Sequence, residues 1–161
     1  MPSEIVGTGA LWVGLIAAIV IVVSQRPHAD QLRSAAGAAL AVLAVQALHF
    51  AEEYLTEFYR LFPARLGLAP WTAEFFVIFN LTWLTLWLLG VWAARACRAT
   101  IYAAIVLWFL AIAAVGNGIA HPVLALLARG YFPGLITAPI LGIAGLILVR
   151  RLIVAQARAP A

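Results

Sequence analysis

Five stretches of this chain carry no charged residue at all: 5–25, 34–51, 75–94, 99–128 and 130–149. A helix needs about 20 predominantly apolar residues to cross the hydrocarbon of a bilayer. In lipid, every backbone N–H and C=O must find its partner within the protein, so an apolar run of that length has to be helical. Composition agrees. Of the 161 residues, 66% are apolar and 10% are charged, and the mean hydropathy is +1.06. Soluble domains carry about 25% charged residues, and disorder needs low hydrophobicity with high charge. A soluble globular enzyme and a disordered chain are both excluded. The expected fold is all-α, a polytopic membrane protein forming one five-transmembrane-helix bundle over 1–161, with spans near 7–25, 34–55, 71–94, 99–123 and 134–155. No repeat or second domain is visible. The first run lacks a basic leader and a small-residue cleavage site, so it reads as a retained span.

The punctuation between runs sets the connections. Arg26-Pro27 and Asp30 close the first run. Pro63, Gly67 and Pro70 end the second and open the third, and Arg95 and Arg98 bracket a tight turn. The segment 130–134 separates the last two, with Pro133 suited to the first turn of the fifth helix. Gly116, Gly118 and Pro122 predict a bent or broken end to the fourth. Gly142 and Gly145 suit close helix contact. All ten basic residues are Arg. Arg26, Arg33, Arg95, Arg98, Arg150, Arg151 and Arg158 fall on one side, against Arg60, Arg65 and Arg129 on the other. The bias places the N-terminus outside and the C-terminus in the cytoplasm. The basic residues sit at span borders and are not arranged to read nucleic acid, so the bilayer is the expected partner. The single Cys97 excludes a disulfide framework and a multi-thiolate zinc site.

Alternating spans bring distant polar residues to one depth. His49 lies fifteen residues above Ser34, about 22 Å along the second helix, in the outer leaflet. Asn80 lies about 13 Å into the third from Trp71. Asn117 and His121 occupy the outer end of the fourth, and Tyr131 and Thr137 the start of the fifth. At 100° per residue, Gln46, His49 and Glu53 share a face, with Glu52 beside it, and Asn117 and His121 share another.

The pattern His49-Phe50-Ala51-Glu52-Glu53 resembles the motif that names the HXXEE family of small bacterial integral membrane proteins. A second signature supports the resemblance. Asn117-Gly118-Ile119-Ala120-His121, followed by Tyr131-Phe132-Pro133-Gly134 and Thr137, is similar to the family's Asn-xxx-His and Tyr-x-Pro-Gly-x-x-Thr, and Asn80 matches a family Asn. The resemblance covers roughly 40–145 and implies a bacterial inner membrane location and candidate residues, but no reaction.

Imidazole and carboxylate together suit a divalent metal, Zn²⁺ first and Fe or Mn next. The candidate ligands are His49, Glu52, Glu53 and His121. Asn80, Asn117 and Thr137 would hydrogen-bond around them, and Glu52, Glu53, Asn117 and Tyr131 are the candidate catalytic groups. Blander readings stand beside these. Glu52 at the membrane edge is equally a solvated helix end. His121 could cap carbonyls freed by Pro122. Tyr131 suits the interfacial aromatic belt, and Trp83 and Trp87 suit packing. Three functions fit: a metal-dependent membrane enzyme acting on a lipid or other hydrophobic small molecule; a metal-independent acid/base isomerase or cyclase of a terpenoid or sterol-like substrate, using His49 and a protonated Glu53; and an ion- or proton-linked carrier or ligand-binding protein, which at this length calls for a homodimer.

Overall fold

The computed structural model describes residues 2–25, 27–98 and 100–157, with side chains as far as 154. Arg26 and Arg158, counted above for orientation, lie outside them. The described residues form seven helices and no strand: α1 (Ser3–Gly7), α2 (Gly9–Gln25), α3 (Ala29–Leu55), α4 (Phe58–Arg65), α5 (Ala73–Arg95), α6 (Thr100–Ala128) and α7 (Ala138–Ala157). Three of them, α3, α5 and α6, are long and apolar enough to cross a membrane; α2 is apolar over 17 residues.

Helix α6 is the axis. It packs against α2, α3, α5 and α7, and α3 packs in turn against α5 and α7. Its interior side is dominated by small residues, with Ala103, Ala104, Ala111 and Ala114 buried around Leu107, Phe109 and Leu110. Leu32, Leu141, Leu148 and Leu152 are buried as well, while other large aliphatics point outward. On α2, Val13, Ile16, Val20 and Val23 are 61–71% exposed and lie along one face. Small residues at the helix contacts beneath an apolar outer face are the arrangement expected where helices pack closely within an apolar solvent. The expected glycine contact is present between α6 and α7. A Cβ on Gly118 would lie 2.6 Å from the Gly142 Cα, and one on Gly145 would lie 2.8 Å from the Ala114 Cβ. Gln31, buried at the start of α3, donates to the Leu152 carbonyl at 2.7 Å and ties the opposite end of the bundle.

Three local expectations are corrected. Pro122 does not end α6, which continues helically to Ala128. The extra turns bury Ala125 in an aromatic cluster with Phe58, Trp71, Phe76 and Phe132, which offsets the proline's missing hydrogen bond. The helix of the second run ends at Leu55, as expected, but Pro63 does not lie in an irregular connection. Glu57 takes a left-handed conformation (φ 58°), and Pro63 lies inside the separate helix α4. The signal was the pair Phe58 and Phe62 at i and i+4, stacked at 4.8 Å. Lastly, α7 begins at Ala138, so Pro133 and Thr137 lie in the turn before it rather than in its first turns.

Candidate metal centre

His49 and Glu53 project from the same face of α3, one turn apart, and His121 projects from α6. All three are buried, with 0%, 6% and 2% exposure. Glu53 Oε1 lies 3.7 Å from His49 Nε2 and 3.4 Å from His121 Nε2. The imidazoles meet edge to face, their centroids 4.6 Å apart. One ligand atom from each of the three residues lies within 4.8 Å of the others.

The partners of the remaining ring nitrogens fix the protonation pattern. His121 Nδ1 is 2.6 Å from the Pro133 carbonyl. A carbonyl only accepts, so Nδ1 carries the proton and Nε2 a lone pair. His49 Nδ1 is 2.8 Å from Thr137 Oγ1. The Thr137 hydroxyl spends its one proton on Glu52 Oε2, at 2.5 Å, so it accepts from His49 Nδ1–H. His49 Nε2 is again the lone pair, and it has no hydrogen-bond partner. Two imidazole lone pairs and the Glu53 carboxyl group thus converge. Their 3.4 and 3.7 Å separations exceed an ordinary hydrogen bond of about 2.9 Å. They approach the spacing of about 3.3 Å between ligands held at 2.0–2.1 Å around a tetrahedral ion. A metal-bound His characteristically donates its other N–H to a carbonyl or to a carboxylate-linked group, and both do so here.

Glu52 does not join this group. Its carboxylate accepts from Tyr131 OH at 2.7 Å, Ile136 N at 3.0 Å, Thr137 N at 2.8 Å and the Thr137 hydroxyl. It anchors the segment 130–137 and, through Thr137, orients His49. Tyr131 is half exposed and serves that anchor. Partial burial and its Glu52 acceptor hold the phenol above its ordinary range, so it remains a donor at neutral pH. Asn117 is half-buried and shares a cavity wall with Glu53 and His121, as does Asn80, whose amide donates to the Phe76 carbonyl at 2.9 Å. Neither touches the three converging atoms by hydrogen bond.

Two further residues wall the site, and nothing in the sequence assigns either of them that role. Gly134 (φ +86°) closes one side of the site, where a Cβ would strike both imidazoles. The sequence marks Gly134 as a turn residue and as the Gly of the family's second signature. Phe58 of α4 covers the other side, its ring centroid 5.3 Å from that of His121. Beyond Glu53 and His121 extends a cavity of about 400 Å³ with aromatic walls that include Trp83, Trp87 and Phe109.

The fold and site together define an all-helical, membrane-type bundle with a His/Glu/His group enclosed at one end. The family described as "Protein of unknown function with HXXEE motif" matches residues 40–149, about two thirds of the chain, and the chain belongs to that family. No curated protein and no solved structure matches it.

Proposed function

We propose that this protein is a metal-dependent integral membrane enzyme that acts on a lipid or another hydrophobic small molecule. In this reading the chain crosses a bacterial inner membrane five times, with α2, α3, α5, α6 and α7 as spans, the N-terminus outside and the C-terminus in the cytoplasm. His49, Glu53 and His121 hold one divalent ion, Zn²⁺ in preference to Fe or Mn. The observation that carries the reading is the pair of Nε2 lone pairs fixed toward one buried carboxylate. That arrangement is costly unless a cation compensates it. Three protein ligands leave a coordination position for substrate or water, as in catalytic rather than structural sites. A bound ion supplies Lewis-acid polarisation or an activated water.

The chain's own residues do the rest. Thr137 and the Pro133 carbonyl hold the imidazoles in the ligating tautomer. Phe58 and Gly134 exclude water from two sides. Asn117 and Asn80 offer polar contacts on the cavity wall, where an apolar substrate would lie within reach of Glu53. The test is elemental analysis of the purified protein. About one divalent ion per chain is expected, lost in His49→Ala and His121→Ala and retained in Glu57→Gln, whose side chain forms an exposed pair with Arg60. Protein free of metal above trace, with activity untouched by both alanines, overturns it.

The same lone-pair convergence also supports a second reading, in which the compensating charge is a proton. A protonated Glu53 donates to one imidazole, and the site serves acid/base isomerisation or cyclisation of a terpenoid or sterol-like substrate. Activity that persists in strong chelator decides for it.

A further inference from the structure

The cavity beside Glu53 and His121 is bounded on two sides by helices that barely touch. Helix α2 packs along α6 and makes no extended contact with α5. Leu11, Val13 and Gly14 of α2 line the cavity opposite Phe79, Trp83 and Trp87 of α5. The two walls are bridged at the surface by Trp12 against Trp83, edge to face at 5.8 Å. Trp12 is held there by its indole N–H, which donates to Thr8 Oγ1 at 3.1 Å, while Thr8 donates to the Glu4 carbonyl at 2.7 Å.

Val13 both lines this cavity and is 67% exposed. It belongs to the outward stripe with Ile16, Val20 and Val23. The opening beside Val13 therefore faces whatever solvates that stripe, which in a membrane is hydrocarbon and not water. The cavity's ionisable groups sit at its deep end, while Thr8, Gln46, Asn80 and Asn117 add uncharged polar groups along it. Among the described residues lining it, the ionisable side chains are Glu53 and His121, with no Arg. An anionic head group would lack a guanidinium, its usual partner, whereas the uncharged amides and hydroxyl along the wall suit a neutral oxygen. At about 400 Å³ the space is at the small end of ligand sites, which run from about 300 to 1,000 Å³. It suits one chain or a flat ring body rather than a two-chain phospholipid.

We infer that the cavity binds a neutral, single-chain amphiphile with a hydroxyl or carbonyl head, which enters sideways from the bilayer through the α2–α5 seam past Trp12 and Trp83. The head lies at Glu53 and His121, and the chain lies between the aromatic wall of α5 and the small residues of α2. The head-group end rests on the metal centre proposed above, and the lateral passage only on the proposed placement of α2 and α5 in the bilayer.

The test uses the full-length protein in nanodiscs and hexadecanol carrying a diazirine at mid-chain, with the matching carboxylic acid and amine as parallel probes. After photolysis, mass spectrometry locates the adducts. The alcohol is expected to label the facing walls, at Leu11, Phe79 and Trp83, and excess hexadecanol to suppress the labelling. Val13→Trp, which plugs the mouth from the lipid side without entering the core, is expected to lower it about tenfold, a change of about 1.4 kcal/mol. Trp12→Ala should raise it. Labelling confined to Ile16, Val20 and Val23, or insensitive to both competitor and Val13→Trp, overturns the passage. Equal or stronger wall labelling by the acid or the amine overturns the neutral head. Competition in the unsubstituted protein keeps the test decisive if Val13→Trp does not fold. Wall labelling that survives in a metal-free His49→Ala protein separates this inference from the metal centre.

Discussion

Each imidazole of the pair has one nitrogen committed to the segment 130–137 and one to Glu53, and the two commitments can be separated by substitution. Thr137→Val removes the acceptor of His49 Nδ1–H while keeping the side chain's shape. Metal affinity is expected to fall about 10- to 100-fold, measured by competition with a chromophoric chelator, with the fold intact by circular dichroism. Unchanged affinity would show that Thr137 does not orient the ligand. Gly134→Ala combines a strained φ of +86° with a methyl group driven against both rings. It should lose the metal and cost about 1–3 kcal/mol of stability, read as a lowered thermal midpoint in detergent. The three convergent residues were legible from spacing, since His49 and Glu53 had to share a face and His121 stood at the same depth. The division of labour between adjacent glutamates was not. Nothing in His49-x-x-Glu52-Glu53 says which carboxylate turns inward, because that depends on the backbone amides of Ile136 and Thr137, which come from a turn more than eighty residues away.

At the scale of elements, the runs of apolar residues located the long helices, because lipid-compatible backbone has no alternative to helix. Their ends were less visible. The continuation of α6 through Pro122 and the existence of α4 both depend on one aromatic cluster, in which Phe58 and Phe76 face Ala125 and Phe132. Such tertiary burial overrides local punctuation. Arg65 adds to it by donating to the Leu127 carbonyl, joining α4 to the last turn of α6. Only the α7 half of the α6–α7 seam was legible, in Gly142 and Gly145; Gly118, opposite Gly142, signalled only a weak point of its own helix. Gly142→Leu places a branched side chain against the Gly118 backbone. It is expected to destabilise by about 1–3 kcal/mol, with loss of metal if the seam opens toward Gly134. Gly37→Leu, where a Cβ meets nothing within 4 Å, should be close to neutral in the same thermal assay.

For the molecule as a whole, the proposed orientation has a direct readout in the single cysteine. Cys97 is exposed just beyond the C-terminal end of α5, on the side where the Arg residues accumulate. A membrane-impermeant maleimide should label it in inverted vesicles and leave it unlabelled in right-side-out spheroplasts. The reverse pattern would invert the topology and move the metal centre to the cytoplasmic half. The arginine bias could be counted from sequence, whereas the cavity could not, because it arises from the gap between α2 and α5, and no periodicity reports how far apart two helices stand.

The enclosure of the ligands by residues 130–137 has a consequence for biosynthesis. All three proposed ligands have been made once His121 has been added, yet the hydroxyl, the carbonyl and the glycine that aim and wall them come afterwards. Chains are made from the N-terminus onward, so an unfinished chain has the donors but not the aim. Cofactor capture would then be among the last events of maturation, coincident with the docking of the final hairpin, and a chain truncated after Ala128 should emerge as an apoprotein despite possessing every donor atom.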